Sequence, residues 1–195
     1  MSGLHKQPDD TTPLTPEERS GLIPSHVTLH SELNELEQQN IVEAAQAIFS
    51  RRRDPLNEAF ARSLHRRMFG RVWRWAGTYR TTNKNLGVDY WEIQPELLRV
   101  FGNVRYWIEH KTYSPDEIAV RFHRDTVWIH PFPNGNGRWS RLLADVLALR
   151  LGRKRFTWGN SALRAPDQTR QAYIAALKAA ADNHDFASLL KFAKS

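Results

Sequence analysis

The stretch His130-Pro-Phe-Pro-Asn-Gly-Asn-Gly-Arg-Trp-Ser-Arg141 joins a histidine, a turn with two glycines and two arginines, and a run of leucine and alanine follows it. Gly135 and Gly137 permit backbone conformations that a Cβ atom hinders, so successive N–H groups can turn toward one point. A helix that begins near Gly137 adds its unpaired N–H groups and the positive end of its dipole. Anions bind at such places, phosphates above all.

Three charged or titratable side chains flank this turn. Arg138 and Arg141 lie three residues apart, on one side of the first helical turn, so both can reach the same anion. His130 precedes the turn and has a ring that can take a proton near neutral pH. The stretch therefore predicts a polyphosphate site with a general base at its edge. The alternative is an ordinary Asn-Gly turn before a solvated helix face.

The composition is typical of a soluble, one-domain globular protein. Of the 195 residues, 41% are hydrophobic and 25% are charged, and the net charge is +7. Cysteine is absent, which excludes disulfides and thiol chemistry and favours a cytoplasmic location. No run is long enough to span a membrane, and the first residues have no apolar signal region. The positive charge favours acidic partners (nucleotides, nucleic acid or an acidic protein) without choosing among them.

Apolar periodicity predicts an all-α domain over residues 25–195. Four prolines among Asp, Thr and Gly indicate that residues 1–24 form a flexible N-terminal arm with little structure of its own. Seven helices are expected, at residues 31–53, 56–69, 95–110, 114–129, 137–151, 165–181 and 185–193.

Residues 72–93 are the one candidate for β structure. Aromatic and β-branched residues flank Asn83-Lys-Asn-Leu-Gly87, a pattern typical of a hairpin with a loose loop. A two-stranded hairpin is weak alone and can offer an edge on which another chain adds a strand. We therefore expect a hairpin here.

The chain resembles the Fic/Doc family. The signature of that family reads H-x-F-x-[D/E]-G-N-G-R-x-x-R, and the residues that match it are His130, Phe132, Gly135, Asn136, Gly137, Arg138 and Arg141. The resemblance implies the Fic fold over about residues 25–190, a helical bundle with a small β-hairpin flap over the active site. Most members known by activity transfer AMP from ATP to a hydroxyl side chain of a target protein.

The resemblance also implies a chemical role for the signature residues. His130 would accept the proton of the attacking hydroxyl, a contribution of ~10²–10⁴ in rate. Arg138, Arg141, the N–H groups of the turn at Gly135 and Gly137, and a Mg²⁺ ion would stabilise the leaving pyrophosphate. Asn136 would position a phosphate oxygen or the turn itself.

The flap would hold the target segment in register. Its docking residues would be Thr81, Thr82 and Asn83 at the turn of the expected hairpin. The target protein would therefore bind beside the nucleotide, at the hairpin.

Asn134 departs from the signature, which has an acid at this position. In the family that carboxylate holds the Mg²⁺ ion. An amide oxygen can ligate magnesium but brings no negative charge, so metal affinity should fall. Three readings follow: a weaker adenylyltransferase, a transferase that uses another phosphate-containing donor, or a nucleotide-binding regulator with little turnover. A basic nucleic-acid binder without an active site is the least favoured reading.

Thr28-Leu-His-Ser-Glu32-Leu-Asn34 is similar to an inhibitory pattern of many family members, [S/T]-x-x-x-E-[G/N], with a mismatch at its last position. The resemblance implies that Glu32 pairs with Arg141 and so occupies the place of a terminal phosphate. The alternative is that Glu32 is simply an acid in the first turn of a helix, as Glu35 and Glu37 are.

Within the family, the chain most resembles small bacterial proteins known as mobile mystery protein B. These proteins are paired with a helix-turn-helix partner. The resemblance therefore implies a helix-turn-helix partner protein in addition to the nucleotide and the target protein.

Overall fold

Eight α-helices and one 3₁₀ turn form the described part of this computed structural model, which covers residues 12–50, 53–160 and 166–195, with the backbone alone for 166 and 167. The all-α class is confirmed. None of the helices in these ranges combines the length and the apolar character needed to cross a membrane. The helices are α1 Pro16–Ser20, α2 His30–Phe49, α3 Glu58–Phe69, α4 Ile93–Glu109, α5 Pro115–Ile129, α6 Asn136–Arg150, α7 Pro166–Asp182 and α8 Phe186–Lys194, and the 3₁₀ turn Tyr90–Glu92 leads into α4.

Helix α6 runs through the core and is buried along most of its length. On one side it packs against α5, which in turn contacts α4, α7 and α8. On the other side it contacts α2 and α3. The indole of Trp139 is fully buried and donates its Nε1–H to the carbonyl of Ala61 on α3 at 2.9 Å. Buried indoles need such a partner, so this bond fixes α6 against α3.

The ends of α5 and α6 bring the predicted site residues together. Helix α5 begins as its sequence predicts, because the Ser114 hydroxyl accepts the Glu117 N–H and Pro115 occupies the first turn. It ends at His130, which adopts the left-handed conformation with φ 54° and ψ 58°. Gly135 then starts α6, also in the left-handed conformation, with φ 78°. The chain reverses within this interval, so His130 and the N-terminus of α6 lie at the same end of the helix pair.

The expected β-hairpin is not seen in residues 72–92. Turns, bends and the 3₁₀ turn occupy this segment, and the described ranges contain no strand. An isolated antiparallel bridge joins Leu22 to Trp73. The prediction of a hairpin was therefore wrong, although the all-α architecture does not depend on it.

Side-chain hydrogen bonds explain why residues 80–90 close into a loop instead. The buried guanidinium of Arg80 donates to the carbonyls of Thr82 and Val88. The amide oxygen of Asn83 accepts the backbone N–H of Tyr90 at 2.9 Å. These contacts bind carbonyl and N–H groups that a two-stranded ladder would have to pair with each other.

The described part of the N-terminal arm lies across the domain. Helix α1 has a capping box, in which the Thr15 hydroxyl accepts the Glu18 N–H and the Glu18 carboxylate accepts the Thr15 N–H. Thr12 and Leu14 are buried, each with 7% exposure. The flexibility expected of residues 1–24 stays a prediction, and residues 1–11 lie outside the described residues.

Candidate functional site

A cavity of about 1370 Å³ lies over the N-terminus of α6. The cavity is lined by Asn134 and by six of the seven residues that match the signature, namely His130, Gly135, Asn136, Gly137, Arg138 and Arg141. Helices α2 and α7 form further walls, and Thr12 and Leu14 border it from the N-terminal segment. Five arginine or lysine side chains line the cavity against two carboxylates, so the site is positively charged. A cavity of this size and sign suits a polyphosphate ligand.

Asn136 holds the turn closed. Its amide oxygen accepts the backbone N–H of Phe132 at 2.9 Å, and its amide nitrogen donates to the carbonyl of the same residue at 2.7 Å. The side chain is 1% exposed, so both of its polar ends are used by the protein. Of the two roles considered for Asn136, the contacts support the positioning of the turn.

The two glycines of the turn serve different purposes. Gly135 is left-handed, and a Cβ atom there would lie 2.6 Å from the ring of Phe69. A Cβ atom on Gly137 would have the Tyr173 hydroxyl, 3.7 Å away, as its nearest neighbour. Gly135 is therefore required by the turn itself. Gly137 leaves free the space in which a ligand can approach the first backbone N–H groups of α6.

His65 supports the turn from the core and was missed in the sequence. Its Nδ1 accepts the Gly77 N–H at 3.0 Å, so its Nε2 carries the proton that is donated to the Asn134 carbonyl at 3.0 Å. Burial lowers the pKa of His65 to about 3, so the ring is neutral. It also stacks on Phe132, with ring centroids 3.7 Å apart. The only signal in the sequence was its position on the apolar face of α3, next to Leu64.

Asn134 does not offer a magnesium site. Its side-chain oxygen accepts the N–H of Gly135, and its carbonyl is bound by His65. No cluster of three or more His, Asp or Glu side chains that could hold a metal occurs in the described ranges. Magnesium is bound in proteins through one or two carboxylates, and none stands at this turn. The residues present do not fit a Mg²⁺ ion.

His130 is placed to act as a base. The hydroxyl oxygen of Thr12 lies 2.9 Å from its Nε2, and its carbonyl accepts the Arg80 Nε–H at 2.7 Å. Burial lowers the pKa of His130 to about 4; a hydrogen bond with the backbone of Val127 opposes this shift, and the charges of Arg80 and Lys84 add to it. The imidazole is therefore neutral at pH 7, the form that accepts a proton.

Arg138 is paired with a carboxylate inside the protein. Its Nη1 lies 2.7 Å from Oε2 of Glu37, a residue of α2 that is 4% exposed. The other oxygen of Glu37 accepts the Trp73 Nε1–H at 2.6 Å. The guanidinium also lies 4.9 Å from the centroid of the Phe69 ring. One of the two arginines predicted to bind phosphate is thus engaged by α2.

Arg141 faces the cavity beside Tyr173. Its guanidinium lies 5.1 Å from the centroid of the Tyr173 ring, and its Nε donates to the Gly137 carbonyl at 3.2 Å. Burial lowers the pKa of Arg141 and raises that of Tyr173 to about 12. Among the side chains that the structure describes, no carboxylate lies within ion-pair distance of Arg141. This arginine therefore presents a half-buried positive charge to the cavity.

The expected ion pair between Glu32 and Arg141 is not formed. The Glu32 carboxylate accepts the backbone N–H groups of Thr28 at 3.1 Å and Leu29 at 3.2 Å and so closes the N-terminus of α2. A carboxylate is stabilised there by the unpaired N–H groups and the dipole of the helix. Glu37 is the residue of α2 that reaches the motif instead. Its signal was its place on the buried face of α2, with Leu33 and Ala44.

The predicted docking residues lie on the loop that replaces the hairpin. Thr81, Thr82 and Asn83 are exposed and do not line the cavity. The neighbouring Leu86 and Gly87 do line it. Gly87 packs so closely on the motif that a Cβ atom there would lie 2.6 Å from Cβ of His130. The loop therefore borders His130, the residue predicted to act as the base.

Comparison with known proteins gives a match to one family and relatives named protein adenylyltransferase. Residues 55–148 match the family model of the Fic/DOC family. The chain is 29% identical over 139 residues to protein adenylyltransferase fic-1 of Caenorhabditis elegans, which covers 69% of this chain and 26% of that protein. It is 36% identical over 93 residues to protein adenylyltransferase Fic of Drosophila melanogaster, which covers 46% of this chain and 19% of that protein. The chain thus spans about a quarter or less of the length of these relatives.

Solved structures show the same fold over most of the chain. The BepC protein of Bartonella tribocorum, crystallised with AMPPNP, superposes with a TM-score of 0.66 at 18% identity and covers 92% of this chain and 97% of that one. A Fic domain from Bartonella quintana with bound ADP gives a TM-score of 0.66 at 17% identity, covering 91% and 94%. Fic-1 of C. elegans gives a TM-score of 0.62 at 24% identity, covering 91% and 53%.

Proposed function

Because residues 55–148 match the Fic/DOC family, we propose that the chain is a protein adenylyltransferase, which transfers AMP from ATP to a hydroxyl side chain of a protein. One observation carries the proposal. A neutral histidine, His130, stands at the edge of a positively charged cavity whose base is the N-terminus of α6. Relatives that match 69% and 46% of the chain bear the name protein adenylyltransferase.

The ATP would bind with its phosphates over the first turn of α6. Backbone N–H groups at Gly137, the helix dipole and the Arg141 guanidinium all converge on this place. Two proteins of the same fold carry AMPPNP and ADP, which are ligands of this chemistry. The second arginine, Arg138, can add its charge once Glu37 releases it.

Transfer would proceed by attack of the hydroxyl oxygen on the α-phosphorus. The bond between that phosphorus and the β-phosphate oxygen breaks, and pyrophosphate leaves. The hydroxyl proton passes to Nε2 of His130, the ring nitrogen that faces the cavity and already contacts a hydroxyl oxygen. Arg141 and the N–H groups of α6 stabilise the charge of the leaving pyrophosphate. Because the turn does not fit a Mg²⁺ ion, no step of this mechanism depends on protein-bound metal.

The protein would be held inactive by Glu37 rather than Glu32. The Glu37 carboxylate occupies the guanidinium of Arg138, and an arginine so paired cannot bind a phosphate oxygen with the same atoms. A closed state favoured 99 to 1 over the open state needs only about 2.7 kcal/mol. A partly buried charge pair is able to supply a free energy of this size.

A nucleotide-binding regulator with little turnover is the second candidate. The neutral Asn134 at the position of the family's metal-binding acid favours it, as does the closed pair of Glu37 and Arg138. The neutral His130 favours the transferase, because binding alone requires no base at that point. A helix-turn-helix partner and a cytoplasmic location stay predictions of the resemblance and of the composition.

Transfer of label from ATP tests the proposal. The purified protein is incubated with a nucleotide-depleted cell extract and ATP labelled at either the α- or the γ-phosphate. We expect proteins in the mixture to acquire α-label, and the label to be lost with His130→Ala. Label from the γ-phosphate alone would indicate a kinase. Tight ATP binding by the purified protein without any labelling would favour the regulator.

A further inference from the structure

The hydroxyl of Thr12 already occupies the position that the mechanism assigns to the acceptor. Its Oγ1 lies 2.9 Å from Nε2 of His130, within hydrogen-bond distance, and Thr12 is one of the residues that line the cavity. In the tautomer with the ring proton on Nδ1, Nε2 accepts a hydrogen bond and the Thr12 hydroxyl donates it. A base that removes a hydroxyl proton needs this contact.

Thr12 is held there by a buried anchor. The Lys84 ammonium donates to the Pro13 carbonyl at 3.1 Å and pairs with the Glu18 carboxylate at 2.5 Å, and its side chain is 3% exposed. The Trp75 Nε1–H is donated to the Glu18 carbonyl at 2.9 Å. Leu14, 7% exposed, packs at the edge of the cavity. The residue after Thr12 and the helix that follows are therefore both fixed to the loop beside His130.

The same segment binds the protein through its backbone, as a docked peptide would. The Ile23 N–H is donated to the Val72 carbonyl at 2.8 Å, and the Arg74 N–H is donated to the Gly21 carbonyl at 2.9 Å. Main-chain hydrogen bonds of this kind hold extended peptides on a receptor without regard to their side chains. The segment that carries Thr12 is thus held on the domain at its far end as well as at Pro13 and Glu18.

The hydroxyl of Tyr173, which also lines the cavity, contacts Nε2 of His123 at 3.1 Å. The hydroxyl of Thr15, the next threonine along the segment, caps α1. In the described ranges, Thr12 is the hydroxyl side chain that hydrogen-bonds to His130. The contact therefore identifies Thr12 as the candidate acceptor.

We propose that Thr12 is an acceptor of the protein's own transferase activity, so that the chain adenylylates itself at this hydroxyl; this inference rests on the proposed function. The Thr12 oxygen forms a bond to the α-phosphorus of ATP, the bond from that phosphorus to the β-phosphate oxygen breaks, and pyrophosphate leaves. The Thr12 proton passes to His130. The product is a phosphodiester between Thr12 and adenosine.

Peptide mapping by mass spectrometry tests the proposal on the full-length protein. Wild-type protein and Glu37→Gln protein are incubated with ATP, digested with trypsin and fragmented. The peptide of residues 7–19 contains three hydroxyls, Thr11, Thr12 and Thr15, so the fragment ions must locate the AMP group. We expect AMP on Thr12, loss of the modified peptide in Thr12→Val, and retention in Thr11→Val, the matched control in the same peptide.

The concentration dependence gives a second measurement. Because Thr12 and His130 contact each other within one chain, the labelled fraction at a given time should not change over a tenfold dilution of the protein. Catalytically inactive His130→Ala protein, added as an acceptor to wild type, should remain unlabelled. Labelling that falls on dilution, or transfer to Thr12 of the inactive chain, would overturn the inference.

The two proposals fail in different ways. AMP that depends on His130 but is found on another residue, or only on other proteins, would overturn the role of Thr12 and leave the transferase standing. If no protein in the extract and no residue of this chain receives AMP, the transferase is wrong and the role of Thr12 falls with it.

Discussion

Glu37 and Arg138 join α2 to the first turn of α6 through a 2.7 Å ion pair at the edge of the cavity. Glu37 is 4% exposed and holds the Trp73 indole with its second oxygen, so its position is set by two partners. The pair places a negative charge at the point where the cavity would otherwise present two arginines. Activity and this ion pair should therefore be inversely related.

Glu37→Gln should increase transfer of α-label by up to ~100-fold, the inverse of an open fraction near 1%. The amide keeps an oxygen for the Trp73 indole but carries no charge, so Arg138 becomes able to bind phosphate. Initial rates of labelling with saturating ATP measure the effect. Glu32→Gln is the matched control on the same helix and should leave the rate unchanged. Equal rates in all three proteins would show that the pair does not restrain the enzyme.

His130→Ala should lower the rate of transfer by a factor of ~10²–10⁴. The affinity for ATP should change little, because the ring acts on the hydroxyl and not on the phosphates. Calorimetric titration with ATP and the midpoint of thermal unfolding check that binding and fold are retained. A variant that labels as fast as wild type would exclude His130 as the base.

Asn134→Asp should lower the Mg²⁺ concentration required for half-maximal transfer. The new side chain brings a carboxylate to the turn, and magnesium is bound in proteins through carboxylates. In the wild-type protein the Asn134 amide oxygen accepts the Gly135 N–H, and the carboxylate of the variant can accept it as well. Metal titrations of both proteins at fixed ATP give the two midpoints. Identical midpoints would mean that position 134 does not contact the metal.

Stability should fall as pH is lowered from about 6.5 to 5. The pKa values of His65 and His123 are lowered to about 3 and that of His130 to about 4, so these rings stay neutral in the folded protein and take up protons once it unfolds. Asp145 acts in the opposite direction, because burial raises its pKa to about 7 and it gives up its proton on unfolding. Unfolding therefore takes up about two protons in total, so the free energy of unfolding should fall by ~2.7 kcal/mol per pH unit.

Urea unfolding at pH 7 and pH 5.5 measures this decline. Asp145→Asn keeps an oxygen for the Phe156 N–H and the Trp158 indole but removes the opposing proton, so its decline should be steeper by ~1.4 kcal/mol per pH unit. Unfolding midpoints that do not change between the two pH values would show that the histidines are charged in the folded state.

Local sequence patterns predicted the helices and the motif well, for a physical reason. The capping residue and the apolar spacing predict helix α5, and the two glycines predict the turn. Each of these signals involves only a few neighbouring residues. The partners of the motif come from far along the chain. Thr12 is 118 residues from His130, and His65 is 69 residues from the carbonyl that it holds. Periodicity carries no information about which distant groups will meet.

The prediction of a hairpin was wrong because the residues of this segment make other contacts. The aromatic residues that suggested strands, Trp73 and Trp75, stack on each other and bind carboxylate and carbonyl groups of α2 and α1. The guanidinium of Arg80 takes the carbonyls that a ladder would need. A propensity for β structure describes side chains that suit a half-buried surface, and here a loop provides that surface.

A library of variants randomised at positions 135 and 137 should give a different result at each position. At position 135 a side chain meets the Phe69 ring and a left-handed backbone, so selection for folding alone should return glycine. At position 137 the nearest atom would be 3.7 Å away, so the same selection should return alanine or serine as well. Only selection for ATP binding should restore glycine at 137. Two glycines separated by a single residue would thus be retained for different reasons, one by the chain's own architecture and one by its ligand.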